Sequence, residues 1–341
     1  MYHPRLKGSY YDMGFKYGSL LFKNGFRLPH TEARKVEFGM KCLNEIAPVY
    51  PEIIREFEGF AEGAQSNIEQ LAGFVLSIGA FEHEAQCSLF ASRNKSGEMI
   101  VGRNFDSFFT FQKFTESSLI APENKLSYIA QSEVFIGRED GINEAGLFIG
   151  MSYVNGRNPL PGFNFLISVR YCLEHFTTVD EVIHFFKNIP IATYNNFLVA
   201  DRSDMAVIEV CPQTVQVRHP ENNFIVCTNY FQHPEVKKFE AEGVGWSKPI
   251  ERFCAASDFL SSNEDMNTVL AKQILSDRKK HLCLHLARFQ FGTLWSVVAN
   301  LTTMEIFRAE GLPTVKKYKP EARLHQHLNR RKSVHRSCLN F

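Results

Sequence analysis

The chain has 341 residues, 44% of them hydrophobic and 13% aromatic, which is enough to bury a large core as one big domain or two. Its 38 lysines and arginines nearly cancel 37 acids, and the body carries no basic patch of the kind that holds nucleic acid. No apolar run approaches the roughly 18 residues of a membrane span, the start lacks a signal-like apolar core, and eight cysteines without paired spacing fit reduced thiols, so a soluble cytoplasmic protein is expected.

Residues 1–86 read as a helical front segment: apolar residues recur at three and four over 10–26, 32–47, 51–64 and 68–84. From Cys87 the period changes to two, predicting strands near 87–91, 99–104, 127–135 and 147–154. Helices follow at about 162–176 and 178–187, the second opened by the capping box Thr178–Glu181. Strands return near 195–201, 205–211, 214–218 and 223–228, then helices near 247–260 and 264–275, then strands near 292–300 and 303–308. Blocks of strands separated by blocks of helices indicate a layered α+β fold. The core is expected to occupy 87–312. The remainder, 313–341, where eight cations from Lys316 to Arg336 face a single acid, Glu321, reads as a flexible basic tail.

The informative element is the hairpin at Cys87. Turn chemistry at Asn94-Lys95-Ser96-Gly97 folds the second run back beside the first, with paired positions summing to about 191, so that Cys87 faces Arg103 to Phe105. Thiol, guanidinium and the Asp106 carboxyl then share one neighbourhood. Strict alternation cannot put Arg103 and Asp106 on one face, so Asp106 is expected past the strand end or at a bulge. A thiol is mostly protonated at neutral pH and needs a base to act as a nucleophile. No histidine lies near the hairpin tip. Cutting the Gln86–Cys87 bond would supply one, because a free α-amine sits on the nucleophile itself.

Cys87 followed by Arg103 and Asp106 resembles the N-terminal nucleophile (Ntn) hydrolases of the choloylglycine hydrolase and penicillin V acylase group. The helical front segment is more similar to acyl-coenzyme A:6-aminopenicillanic acid acyltransferase. Further matches are Asp140 to Leu147, Phe163 to Leu166, Thr178 to Val182, Thr228-Asn229 and Glu251-Arg252-Phe253. The resemblance implies an αββα sandwich, two antiparallel sheets between helix layers, behind an N-terminal segment that is a self-cleaved pro-segment or small subunit. It implies that Cys87 attacks a carbonyl, that Arg103 and Asp106 hold sulfur and amine, that Asn229 and the neighbourhood of Tyr153 form the oxyanion hole, and that Arg252 supports the nucleophile.

The expected activity is hydrolysis or transfer at a linear, non-peptide C–N amide, with a small acyl amide or acyl donor as partner, no metal or organic cofactor, and a homo-oligomer allowed. The phenylalanines near the hairpin, Phe105, Phe108, Phe109 and Phe111, are core packing or the wall of an acyl pocket. His281, Cys283 and His285 lack a fourth metal ligand. Gln86 is larger than the residue expected before a self-cutting cysteine, which leaves open a catalytically silent scaffold. A cysteine peptidase using His83, His219 or His233 is the third reading.

Overall fold

The computed structural model describes residues 1–81, 85–243 and 245–338, with side chains described as far as 331. After β1 (Arg5–Gly8) come α1 (Tyr10–Lys23), α2 (Ala33–Ile46), α3 (Pro51–Gly63) and α4 (Ile68–Leu76). Ser9 and Asn67 cap α1 and α4 by accepting the Asp12 and Gln70 N–H groups, and Pro51 opens α3. The fourth predicted helix therefore stops at Leu76 rather than running to 84; residues 82–84, including His83, lie outside the described residues.

Glycines set how α1 and α3 meet. A Cβ on Gly14 would stand 2.2 Å from the Glu56 carbonyl oxygen, and one on Gly59 would stand 2.2 Å from that of Tyr11, so the two backbones touch where side chains would hold them apart. Gly18 and Gly63 repeat the contact one turn on. Gly59→Leu is expected to lower stability by about 1–3 kcal/mol or more by forcing the helices apart. Thermal unfolding checks this against Gly243→Ala, a position where an added Cβ meets nothing.

The core runs β2 (Gln86–Arg93), β3 (Met99–Phe108), β4 (Glu116–Pro122), β5 (Tyr128–Ser132), β6 (Asp140–Asn143), β7 (Phe148–Tyr153), α5 (Phe165–His175) and α6 (Val179–Asn188). It continues with β8 (Asn195–Ala200), β9 (Met205–Cys211), β10 (Thr214–Arg218), β11 (Phe224–Cys227), α7 (Pro234–Lys237), α8 (Pro249–Ser262) and α9 (Thr268–Leu275). Last come β12 (His285–Leu286), β13 (Phe291–Asn300), β14 (Glu305–Ala309), β15 (Lys319–Pro320) and α10 (Arg323–Cys338).

One sheet is ordered β1-β4-β5-β6-β7-β8-β9-β10 and the other β11-β2-β3-β13-β14-β15, with β12 beside β13. All pairings are antiparallel except β1 with β4. Helices α5 and α6 cover the first sheet, α8 and α9 the second, and β2 touches β7 and β8 between the sheets, which gives the layers of an αββα sandwich.

The front helices are joined to the core by buried polar groups. Arg170 of α5 forms an ion pair with Glu56 of α3, and Glu174 accepts from Arg170 (2.8 Å), from Tyr128 (2.7 Å) and from the front-segment phenols of Tyr10 and Tyr50. Each charge there has an opposite charge or a donor, which offsets the cost of burying it. The basic stretch beyond 313 carries β15 and α10. Arg323 donates to Glu321 (2.6 Å) and to the Ser117 carbonyl (2.8 Å), and Glu321 also pairs with Arg308, so the start of α10 is tied to both sheets.

Candidate active site

Residues of β2 and β3 pair with positions summing to 192: Cys87 opposes Phe105, Leu89 opposes Arg103 and Gln86 opposes Asp106. Opposed residues share a face, so Cys87, Leu89, Arg103 and Phe105 point between the sheets, while Gln86, Ser88, Asn104 and Asp106 point toward α8 and α9. Gly150 of β7 makes room for the first group; a Cβ there would meet Leu89 at 2.7 Å and Arg103 at 3.4 Å. Asp106 is thus neither past the strand end nor on a bulge between β2 and β3. It stays in register on the opposite face from the thiol.

The irregularity is one strand further on. The β3–β13 register shifts between Thr293, opposite Asp106, and Trp295, opposite Phe105. Without the shift, residues 293 and 295 would share a face; with it they serve both. Thr293 Oγ1 donates to Asp106 Oδ1 at 2.5 Å on the helix side, while Trp295 stacks on Phe105 at 4.0 Å and donates to Asp140 Oδ2 at 2.9 Å between the sheets.

Arg103 is fully buried and divides its guanidinium: Nη1 donates to the Asp140 carboxylate at 2.5 Å and to the Glu139 carbonyl at 2.6 Å, and Nη2 reaches Cys87 Sγ at 3.4 Å. The salt-bridge partner of Arg103 is therefore Asp140, not Asp106. Burial pushes the Cys87 thiol up to about 11, the nearby guanidinium of Arg103 only partly opposing it. In the uncut chain the sulfur is a thiol at neutral pH.

The backbone on both sides of the sulfur is held by Asn229 and Arg252. Asn229 Oδ1 accepts the Cys87 N–H at 2.8 Å, and Nδ2 donates to the carbonyls of Ala85 (3.3 Å) and Tyr153 (2.9 Å). Arg252, buried on α8, donates to the Cys87 carbonyl (2.5 Å), Ser88 Oγ (3.0 Å), Gln86 Oε1 (3.2 Å) and Asn229 Oδ1 (2.8 Å). Tyr153 contributes its backbone carbonyl, an acceptor that aims Asn229. A cleft of about 20 Å³ lined by Gln86, Tyr153, Asn229, Ser247 and Pro249 opens onto this bond, room for about one water.

The structure thus gathers Cys87, Arg103, Asn229, Arg252 and Tyr153 around one peptide bond and sets Asp106 behind it. Asp140, Thr293 and Trp295 went unassigned in the sequence; Asp140 opens a quoted motif, but its role depends on a pairing between sheets that no local pattern reports. Among the phenylalanines, Phe105 is core, and Phe108 packs against Phe291 beside Trp246 and Phe289 at the surface. Cys87 Sγ has Arg103 as its partner, His233 caps α7, and His219 is exposed. Among the described residues no three metal-binding side chains converge, and no helix is long and apolar enough to cross a membrane.

Burial pushes the Asp106 carboxyl up to about 7, against the pull of Arg252 and Thr293. A folded-state value above the unfolded one means the folded chain holds a proton that the unfolded chain releases, so this group's contribution to stability falls as pH rises from about 4 to about 7. Asp106→Asn is expected to flatten that part of the stability profile, measured by chemical unfolding at a series of pH values, and an unchanged slope would refute the assignment.

Two sheets between helix layers, with a thiol at the head of an inner strand, define the fold of the N-terminal nucleophile hydrolases. Residues 92–313 match the family model described as acyl-coenzyme A:6-aminopenicillanic acid acyl-transferase, and the chain belongs to that family, whose members act on amide bonds. The match begins five residues after Cys87. Among solved structures, an N-acylethanolamine-hydrolyzing acid amidase ortholog from Caenorhabditis elegans is 16% identical with a TM-score of 0.50, covering 63% of this chain and 93% of that one. Penicillin V acylase from Agrobacterium tumefaciens is 17% identical with a TM-score of 0.48, covering 66% and 83%. A variant of conjugated bile acid hydrolase from Clostridium perfringens is 13% identical with a TM-score of 0.48, covering 66% and 89%. No curated protein sequence matches the chain.

Proposed function

We propose that this protein is a cysteine amidohydrolase or acyltransferase that cuts itself at Gln86–Cys87 and then acts on linear, non-peptide C–N amides through a Cys87 acyl-thioester. The observation that carries the reading is the grip on the backbone either side of that bond. Asn229 takes the Cys87 N–H and the Ala85 carbonyl, on the two sides of Gln86, while Arg252 takes the Cys87 carbonyl and the Gln86 side chain.

In the first event Cys87 Sγ adds to the Gln86 carbonyl, the C–N bond breaks, the released amine takes the proton, and water from the cleft hydrolyses the thioester. What remains is an α-amine of pKa about 7.7 to 8.0 on the nucleophile. Arg103 stays beside the sulfur and Asp106 behind the amine. The Asn229 Nδ2 proton now given to Ala85 becomes free for a substrate oxyanion, and departure of the chain ahead of Cys87 vacates the space an acyl group needs. Water or an amine then accepts the acyl group. Intact mass of the purified protein, followed by incubation with a panel of acyl amides, tests the reading: a Cys87 adduct is expected, and a single uncut species inert to a thiol-directed electrophile would instead indicate a silent scaffold.

The front segment is expected to remain attached after the cut. The Arg170–Glu56 pair and the Tyr10 and Tyr50 phenols on Glu174 do not depend on the 86–87 bond. Two bands on a denaturing gel should co-elute as one species by size exclusion. Glu56→Ala leaves Arg170 facing Glu174 alone, costs about 3–5 kcal/mol, and is expected to loosen the pair.

A further inference from the structure

We propose that the basic pocket lined by β1, β14, β15 and the start of α10 binds a phosphate group. The pocket holds about 350 Å³, and its charged lining is Arg5, Arg308, Lys319 and Arg323 with Glu310 and Glu321, His3 standing beside them. Arg308 forms its base. It is 8% exposed, gives Nη1 to Ser117 (2.8 Å) and Glu321 and Nη2 to Glu310 (3.0 Å) and His3 (3.3 Å), and keeps a buried Nε with no partner. Arg323 is engaged with the same Glu321. Arg5 and Lys319 differ: both are exposed at the rim, and neither has an ion-pair partner among the described residues.

Charge decides the ligand. Four permanent cations line the pocket against two acids, leaving a surplus of two, which is the charge of a phosphate dianion. His3 adds a third when protonated. Cations brought together from both ends of the chain repel one another, and a bound dianion relieves that repulsion. A buried guanidinium at the base of the pocket fits a compact phosphate-bearing group that reaches down to it better than an extended polyanion lying across the rim. None of these residues touches Cys87, Asn229 or Arg252, so the site is separate from the amide chemistry.

The test is calorimetric titration of the full chain with pyrophosphate and with inorganic phosphate, beside co-sedimentation with phosphatidylcholine vesicles with and without phosphatidic acid. Binding is expected to weaken about tenfold or more in Arg5→Ala and in Lys319→Ala, and to be unchanged in Arg34→Ala, an exposed cation paired with Glu32 elsewhere. Amide turnover should be the same in all three. Binding to free pyrophosphate identifies a soluble phosphate ligand, and binding only to vesicles carrying phosphatidic acid identifies a lipid headgroup. Absence of binding to all three of pyrophosphate, inorganic phosphate and phosphatidic acid vesicles, or binding that is indifferent to Arg5→Ala and Lys319→Ala, overturns the proposal.

Discussion

Cys87→Ala is expected to leave one intact chain of 39.1 kDa and to reduce amide turnover by on the order of 10⁴-fold or more. Both losses follow from one atom: the sulfur that opens the Gln86–Cys87 bond is the sulfur that would carry the acyl group. Cys87→Ser separates the events, because a hydroxyl keeps the geometry but is a poorer nucleophile, so cutting should slow more than folding suffers. The wild-type thiol should also alkylate faster once cut. Before the cut burial holds it at about 11, and afterwards its own amine can take its proton at neutral pH. Mass spectrometry of wild type and variant, with the alkylation rate of each, reads all of this. Full turnover by the Ala variant would refute the assignment of Cys87.

The hairpin was legible because its information is local. A turn of Asn94 to Gly97 between two apolar runs fixes the pairing of β2 and β3 to within one residue, placing Cys87 opposite Phe105. The layered fold was legible for the same reason, since each run of period two or 3.6 is a property of its own segment. What was missed depends on distant partners. Strand β4 begins Glu116-Ser117-Ser118, polar residues that are buried only because Arg138, Arg308 and Tyr17 reach them from other elements. Strand β1 is four residues paired parallel with β4, too short to show a period. Helix α10 is mostly polar, with Leu324 and Leu328 packed on the core, and its start is held by the Glu321 hub rather than by a wide apolar stripe.

Parity at the site shows the same limit. Alternation correctly separates Arg103 from Asp106, yet the fold resolves the conflict with a shift in β13, almost 190 positions along the chain, instead of bending β3. Arg103 answers to Asp140 between the sheets and Asp106 to Thr293 behind them. The sequence contains both acids and both partners, but pairing them requires knowing that β3 sits between β2 and β13 and that β6 faces it across the sandwich.

Asn229→Ala is expected to lower kcat/KM by about 10²- to 10³-fold, the usual cost of losing one oxyanion donor, and to slow the self-cut as well. Removal of the amide frees four contacts at once: the Cys87 N–H, Arg252 Nη2 and the carbonyls of Ala85 and Tyr153. A loss of activity in this variant alone would not separate donation to the oxyanion from mere support of the backbone. Asn229→Asp does separate them. It keeps an oxygen where Oδ1 accepts from Cys87 and Arg252, so that half of the support stays, but it replaces the Nδ2 donor with an acceptor that faces the Ala85 and Tyr153 carbonyls and repels a developing oxyanion. If donation is the role, the Asp variant should fall at least as far in kcat as the Ala variant. If support through Oδ1 alone is the role, the Asp variant should keep most of its turnover, and the oxyanion assignment of Asn229 fails.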